Sequence, residues 1–241
     1  MKRLKKFFLL LAAAPVVAFA AEAGIHLDKA PVNLADQESL QRGARVFVNN
    51  CLNCHAAASM RYVRLQDIGL TEEQIKDNLL FAAEKPGETM TVGMKAADGK
   101  AWFGATPPDL SVVARSRSAD WLYTYLRGFY RDDTRPTGWN NTVFDKVGMP
   151  HVLWSLQGEQ VPRYKTVDGH EVIDRLELAK PGSMTPAEYD AMVGDLVNYL
   201  VWMGEPAQLT RKRTGLAVLA FLALFFIPAY YLKKEYWKDV H

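Results

Sequence analysis

Cys51-Leu52-Asn53-Cys54-His55 holds every cysteine in the chain, and its reading decides the fold. Two thiols separated by two residues, with a histidine directly after the second, form the C-x-x-C-H pattern of c-type haem attachment. The thiols can add across the two vinyl groups of a porphyrin, and the adjacent imidazole then reaches the iron from the same side. Random placement of two Cys and five His in 241 residues produces this pentapeptide with a probability on the order of 10⁻⁴. A zinc site would want further cysteines. A thioredoxin-like dithiol follows a strand in a βαβ unit, whereas this pair follows a helical pattern. The motif therefore reads as one covalently bound haem c on Cys51 and Cys54, with His55 as an axial ligand.

Upstream of the motif, Asp36 is placed to cap a helix running to about Asn50, with Leu40, Gly43, Ala44 and Phe47 on one face. Downstream, Thr71 and Gln74 fit a capping box for a helix to about Ala83 that turns Ile75, Leu79 and Ala82 inward. Ser118 can cap a third helix, along which Leu122, Tyr125, Leu126 and Phe129 recur at helical spacing. A fourth begins with Thr185 as cap, Pro186 at its first position and Glu188 closing the box, and ends near Met203 before Gly204 and Pro206. Asp168-Gly169 between two β-rich runs, Val161–Val167 and His170–Leu178, predicts a hairpin with a type I′ turn. Lys85–Lys100 and Arg131–Gly148 read as irregular loop. Four helices with this much loop need a large cofactor to fill the centre.

Two hydrophobic segments flank this region, with different meanings. A basic start at Lys2–Lys6, the apolar stretch Phe7–Ala20 and the small-x-small Ala18-Phe19-Ala20 predict a cleaved secretory signal over residues 1–20. As a helix, that stretch would span only ~21 Å of a ~30 Å hydrocarbon core. Thr214–Leu232 is nineteen residues without a charge, bracketed by Arg211-Lys212-Arg213 and Lys233-Lys234. It would reach ~29 Å and reads as a transmembrane anchor over residues 211–232, with 233–241 as a cytoplasmic tail. The expected layout is thus an exported domain at residues 21–210, tethered to the bacterial inner membrane with its haem in the periplasm.

The formal charge of +2 hides unlike segments. Residues 21–210 carry 19 basic and 25 acidic groups, a net of −6. An acidic domain argues against a nucleic-acid partner, whose phosphates demand a basic face. It suits a basic soluble protein drawn in by long-range attraction.

The second axial ligand must come from far along the chain. Met90, Met94, Met149, Met184, His26, His151 and His170 are available. Met149 lies between Gly148 and Pro150 in a long loop, a bracket able to fix an extended segment against a flat ring. It is the best choice, with His151 as the bis-imidazole rival. Arg115 and Arg117 follow Pro107-Pro108-Asp109-Leu110, and an Arg there can bind a haem propionate.

Taken together, Cys51–His55, Met60-Arg61-Tyr62, Pro107-Pro108-Asp109-Leu110-Ser111, Arg115, Arg117, Gly148-Met149-Pro150 and the tail anchor resemble the cytochrome c1 family, over nearly all of residues 21–241. The resemblance implies a mainly α fold: a class I cytochrome c-like haem domain with long loops and a small β-hairpin, plus one C-terminal transmembrane helix. It implies His55 and Met149 as axial ligands and Arg117 as the propionate-binding arginine. It also implies electron transfer from a Rieske iron–sulfur protein to a soluble cytochrome c, beside a cytochrome b subunit, in a dimeric quinol–cytochrome c reductase of the respiratory chain. The competing role is a tethered cytochrome c feeding a terminal oxidase. The extra cysteine pair of some relatives is lacking, so a family disulfide is not expected.

Overall fold

A computed structural model describes residues 26–239 apart from Asp168. The signal-segment reading of residues 1–20 lies outside the described residues, and the turn type at Asp168-Gly169 rests on a residue that does too. The framework is α1 (Gln37–Asn50), which packs along α7 (Pro186–Gly204). Asp36 caps α1 by accepting from the Ser39 N–H at 3.0 Å, worth about 1 kcal/mol. Leu40, Gly43, Ala44 and Phe47 are all buried, as their spacing requires. Gly43 lets the two helices touch: a Cβ there would collide with the Asp195 backbone oxygen and lie 2.7 Å from the Tyr199 Cβ. Thr185 and Glu188 form the expected capping box of α7.

The extended segment before α1 is lashed across this pair. Asn198, fully buried, accepts from the Asn33 N–H and donates to the Asn33 carbonyl and Ser39 Oγ. Arg127 bridges Asp28 and Asp190, tying the segment before α1 to α7.

After the cysteine motif come β1 (Ala57–Arg61), a 3₁₀ segment (Tyr62–Ile68) and α2 (Glu72–Asn78). The Thr71–Gln74 capping box is present. However, α2 stops at Asn78 rather than near Ala83, and Ala82 is exposed. The Leu79 and Leu80 N–H groups both turn back to the Ile75 carbonyl, which ends the helical ladder while burying Leu79. The 85–100 stretch is less irregular than its composition implies. It supplies β2 (Thr89–Met90), paired antiparallel with β1, and opens α3 (Ala96–Phe103).

α4 (Val113–Arg117) and α5 (Ala119–Arg127) lie against α7. Ser118 caps α5 as expected, but the helix ends at Arg127. Phe129 instead opens β3 (Phe129–Arg131), which pairs with β4 (Trp139–Asn141) inside the stretch read as irregular. The short α6 (Trp154–Gln157) leads into the hairpin of β5 (Gly158–Val167) and β6 (His170–Pro181), longer at both ends than its β-rich core suggested. α8 (Gln208–Tyr236) is one apolar helix of 29 residues, passing through Pro228 with its apolar side chains exposed. At ~1.5 Å per residue it reaches ~43 Å, long enough to anchor the chain in a membrane.

Candidate functional site

α1 ends at Asn50 and delivers Cys51 at its C-cap, where the Cys51 N–H bonds to the Phe47 carbonyl. The Cys54 and His55 N–H groups both return to the Cys51 carbonyl, so the five residues form one compact turn. That turn opens onto an apolar cavity of about 330 Å³. Cys51, Cys54, His55, Arg117 and Met149 all line it, and so do Leu196 and Leu200 of α7.

His55 is held from behind. Its Nδ1 lies 2.8 Å from the Pro108 carbonyl, which can only accept, so Nδ1 carries the proton and the Nε2 lone pair is free. Burial holds the imidazole below its ordinary pKa, so it stays neutral and able to donate to a metal. The Pro-Pro-Asp-Leu-Ser segment is itself fastened to the chain after His55. The Leu110 N–H bonds to Ala56 O, Asp109 accepts from the Ala58 N–H, and Ser111 Oγ accepts from the Ser59 N–H. This orienting role was not read from the sequence; a proline-fixed carbonyl is a main-chain feature that residue types do not signal. Burial also pushes the Cys51 thiol up to about 12 and raises that of Cys54, so both remain thiols at neutral pH.

Across the cavity, the Val147–Pro150 loop presents Met149. Gly148 is required there, because a Cβ would lie 2.6 Å from the Phe103 carbonyl oxygen. The Tyr125 hydroxyl donates to the Met149 sulfur at 3.4 Å. Arg117 stands exposed at the rim with its guanidinium 5.3 Å from the Trp121 ring centroid. Among the described residues no carboxylate pairs with it, whereas Arg115 turns away toward Glu205 at 3.8 Å. Ser118 beside it holds φ +82° and ψ 156°, a strained backbone for a residue with a Cβ, at the corner between α4 and α5.

The rival ligands do not reach this cavity. His151 is buried against Phe129, stacked at 4.8 Å, and edge-on to Trp139 at 5.0 Å. Met90 is buried beside Tyr199, His26 pairs with Asp28 at the surface, and His170 is exposed on the hairpin. Met94 and Met184 are likewise absent from the cavity wall.

Burial depresses His151 from 6.5 to about 4. Between those pH values the unfolded chain binds a proton that the folded one refuses, so its stabilising contribution is complete above pH 6.5 and drains as pH falls toward 4. It is worth up to about 3 kcal/mol. Acid unfolding followed by circular dichroism should be shallower over that window in His151→Phe; an unchanged slope would contradict the assignment.

A mainly α domain wrapped on a C-x-x-C-H turn is a c-type cytochrome in class. The Cytochrome C1 family model matches residues 28–240, and the chain belongs to that family. It is 51% identical over 239 residues to cytochrome c1 of Allochromatium vinosum, covering 97% of each chain. It is 49% identical over 241 residues to a Nitrosomonas europaea protein named ammonia monooxygenase gamma subunit, covering both chains fully. A Bradyrhizobium diazoefficiens protein named cytochrome b/c1 shares 28% identity with 88% of this chain, which covers 34% of that protein.

Proposed function

We propose that this chain is the membrane-anchored haem subunit of a quinol–cytochrome c reductase, taking electrons from a Rieske iron–sulfur protein and passing them to a soluble cytochrome c. The observation that carries it is the convergence of Cys51, Cys54, His55 and Met149 on one apolar cavity, in a member of the cytochrome c1 family. The donor set fits a haem c: two neutral thiols for two thioether bonds, a free imidazole Nε2 and a thioether sulfur for the iron, and unpaired Arg117 for a propionate. A haem held there supplies a one-electron carrier. A haem held by both His55 and Met149 would be left without an open position for oxygen or another substrate. The role is therefore electron transfer, including in light of the monooxygenase name of the Nitrosomonas relative.

The chain's own residues do the rest. His55 is fixed in one tautomer by Pro108, the backbone that presents Met149 is fixed by Gly148 and Pro150, and the leucines of α5 and α7 make the cavity wall apolar. The acidic residues of segment 21–210 draw in a basic soluble partner. In this reading residues 1–20 are removed on export, residues 21–210 lie in the periplasm, residues 211–232 span the bacterial inner membrane and residues 233–241 are cytoplasmic. The name of the Bradyrhizobium relative supports a cytochrome b subunit as the membrane partner. Capture of the full chain from detergent-solubilised membranes should bring down a b-type cytochrome and a Rieske protein; a terminal oxidase in their place would overturn the assignment.

A further inference from the structure

The Tyr125 hydroxyl donates to an unusual acceptor. A buried hydroxyl left unpaired is costly, so some partner is obligatory. Thioether sulfur is among the weakest available acceptors. Tyr189, also buried, follows the ordinary course and donates to the Leu126 carbonyl at 2.9 Å. Tyr125 instead donates to the Met149 sulfur at 3.4 Å, at the wall of the cavity.

Its ring is held in place for this. Trp121, one helical turn earlier on α5, stacks on it at 4.7 Å with planes 12° apart, and Phe129 meets it edge-on at 5.1 Å. Trp121 in turn lies beneath the Arg117 guanidinium. One face covered by Trp121 and an edge contact with Phe129 restrict the ring, so the donor is oriented by α5 and its neighbours. The recipient needs such help. Methionine has three rotatable bonds and a soft preference about each, and Gly148 and Pro150 fix only its backbone.

We propose that Tyr125 is a positioning residue for Met149, occupying one sulfur lone pair so that the other faces the cavity and tuning the metal through that sulfur. The inference rests on the reading of Met149 as an iron ligand. A thioether sulfur has two lone pairs, one for a metal and one for the hydroxyl. A hydrogen bond to the second withdraws electron density from the sulfur and weakens its donation to oxidised iron. The reduced form is favoured, and the midpoint potential rises.

The test uses the full haem-loaded chain in detergent. Tyr125→Phe keeps the ring, its stacking and its volume, and removes only the donor. Its potential should fall by a threefold change in the one-electron equilibrium, about 28 mV at 59 mV per tenfold. In a Met149→His background, where no thioether remains, Tyr125→Phe should leave the potential unmoved. Site-specific 3-fluorotyrosine at position 125, a stronger donor of nearly the same size, should raise it. An unchanged potential in Tyr125→Phe overturns the proposal. So does an equal shift in the Met149→His background, which would assign the effect to burial of the iron. No rise with 3-fluorotyrosine does the same if Tyr125→Phe fails to fold. Failure of the ligand reading itself shows separately, as absence of the thioether charge-transfer band from the unsubstituted oxidised protein.

Discussion

Met149→His is expected to lower the midpoint potential by on the order of 0.1–0.3 V, within the ~0.8 V range that axial ligation spans. A thioether is a poor donor to oxidised iron and favours the reduced state, whereas a second imidazole stabilises the oxidised state. The magnitude is large because the change falls on the iron itself. The loop favours retention of a ligand at this position, because Gly148 and Pro150 restrict the backbone that would present the imidazole. Redox titration of the variant reads the shift, and its oxidised spectrum should lose the weak long-wavelength band of thioether ligation. An unchanged potential with the band intact would move the sixth ligand elsewhere. The structure offers no ready substitute among the described residues, since His151 is enclosed by Phe129 and Trp139 and the other methionines considered lie off the cavity.

Replacing both thiols, Cys51→Ala with Cys54→Ala, should abolish covalent attachment and destabilise the whole head domain. Without the group that fills the cavity, Leu122, Leu126, Leu196 and Leu200 lose the packing partner on their exposed side. Domains are stable by only about 5–15 kcal/mol in total, so loss of that packing takes a large share of the margin. Either thiol alone should retain the group through a single bond, leaving the domain folded. Acid–acetone extraction distinguishes these states: haem should stay with the wild-type polypeptide and each single variant, and leave the double variant. A double variant with normal yield and an unchanged unfolding temperature would show that the core does not depend on the filled cavity.

The sequence made the C-x-x-C-H turn and the helix starts legible because each is a local device. Cysteine spacing, Asp36 as a cap, and the capping boxes at Thr71 and Thr185 all act within four residues. The apolar face of α1 followed from its periodicity for the same reason. Helix ends were harder. α2 stops at Asn78 because two N–H groups converge on one carbonyl, and α5 releases Phe129 to a strand whose partner lies ten residues away. Such outcomes are set by tertiary contacts. The short strands within the 85–100 and 131–148 stretches have too few residues for a period to register.

The same division runs through the site. Cys51, Cys54, His55 and Met149 were visible by residue type and bracket, and all four meet at the cavity. The choice between Met149 and His151 could not be settled by a spacing of two residues, since both sit in the same loop. The structure separates them by sending one to the cavity and the other into an aromatic cage. Trp121 and Tyr125 stand at i, i+4 on α5 and their stacking follows from that spacing, but the target of the Tyr125 hydroxyl lies 24 residues away.

The most direct measurement is the mass of the proteolytic peptide containing Cys51–His55, taken from the mature protein under denaturing conditions. This peptide should carry the mass of one haem, bonded through both Cys51 and Cys54. A peptide of unmodified mass, with two free thiols, would contradict it.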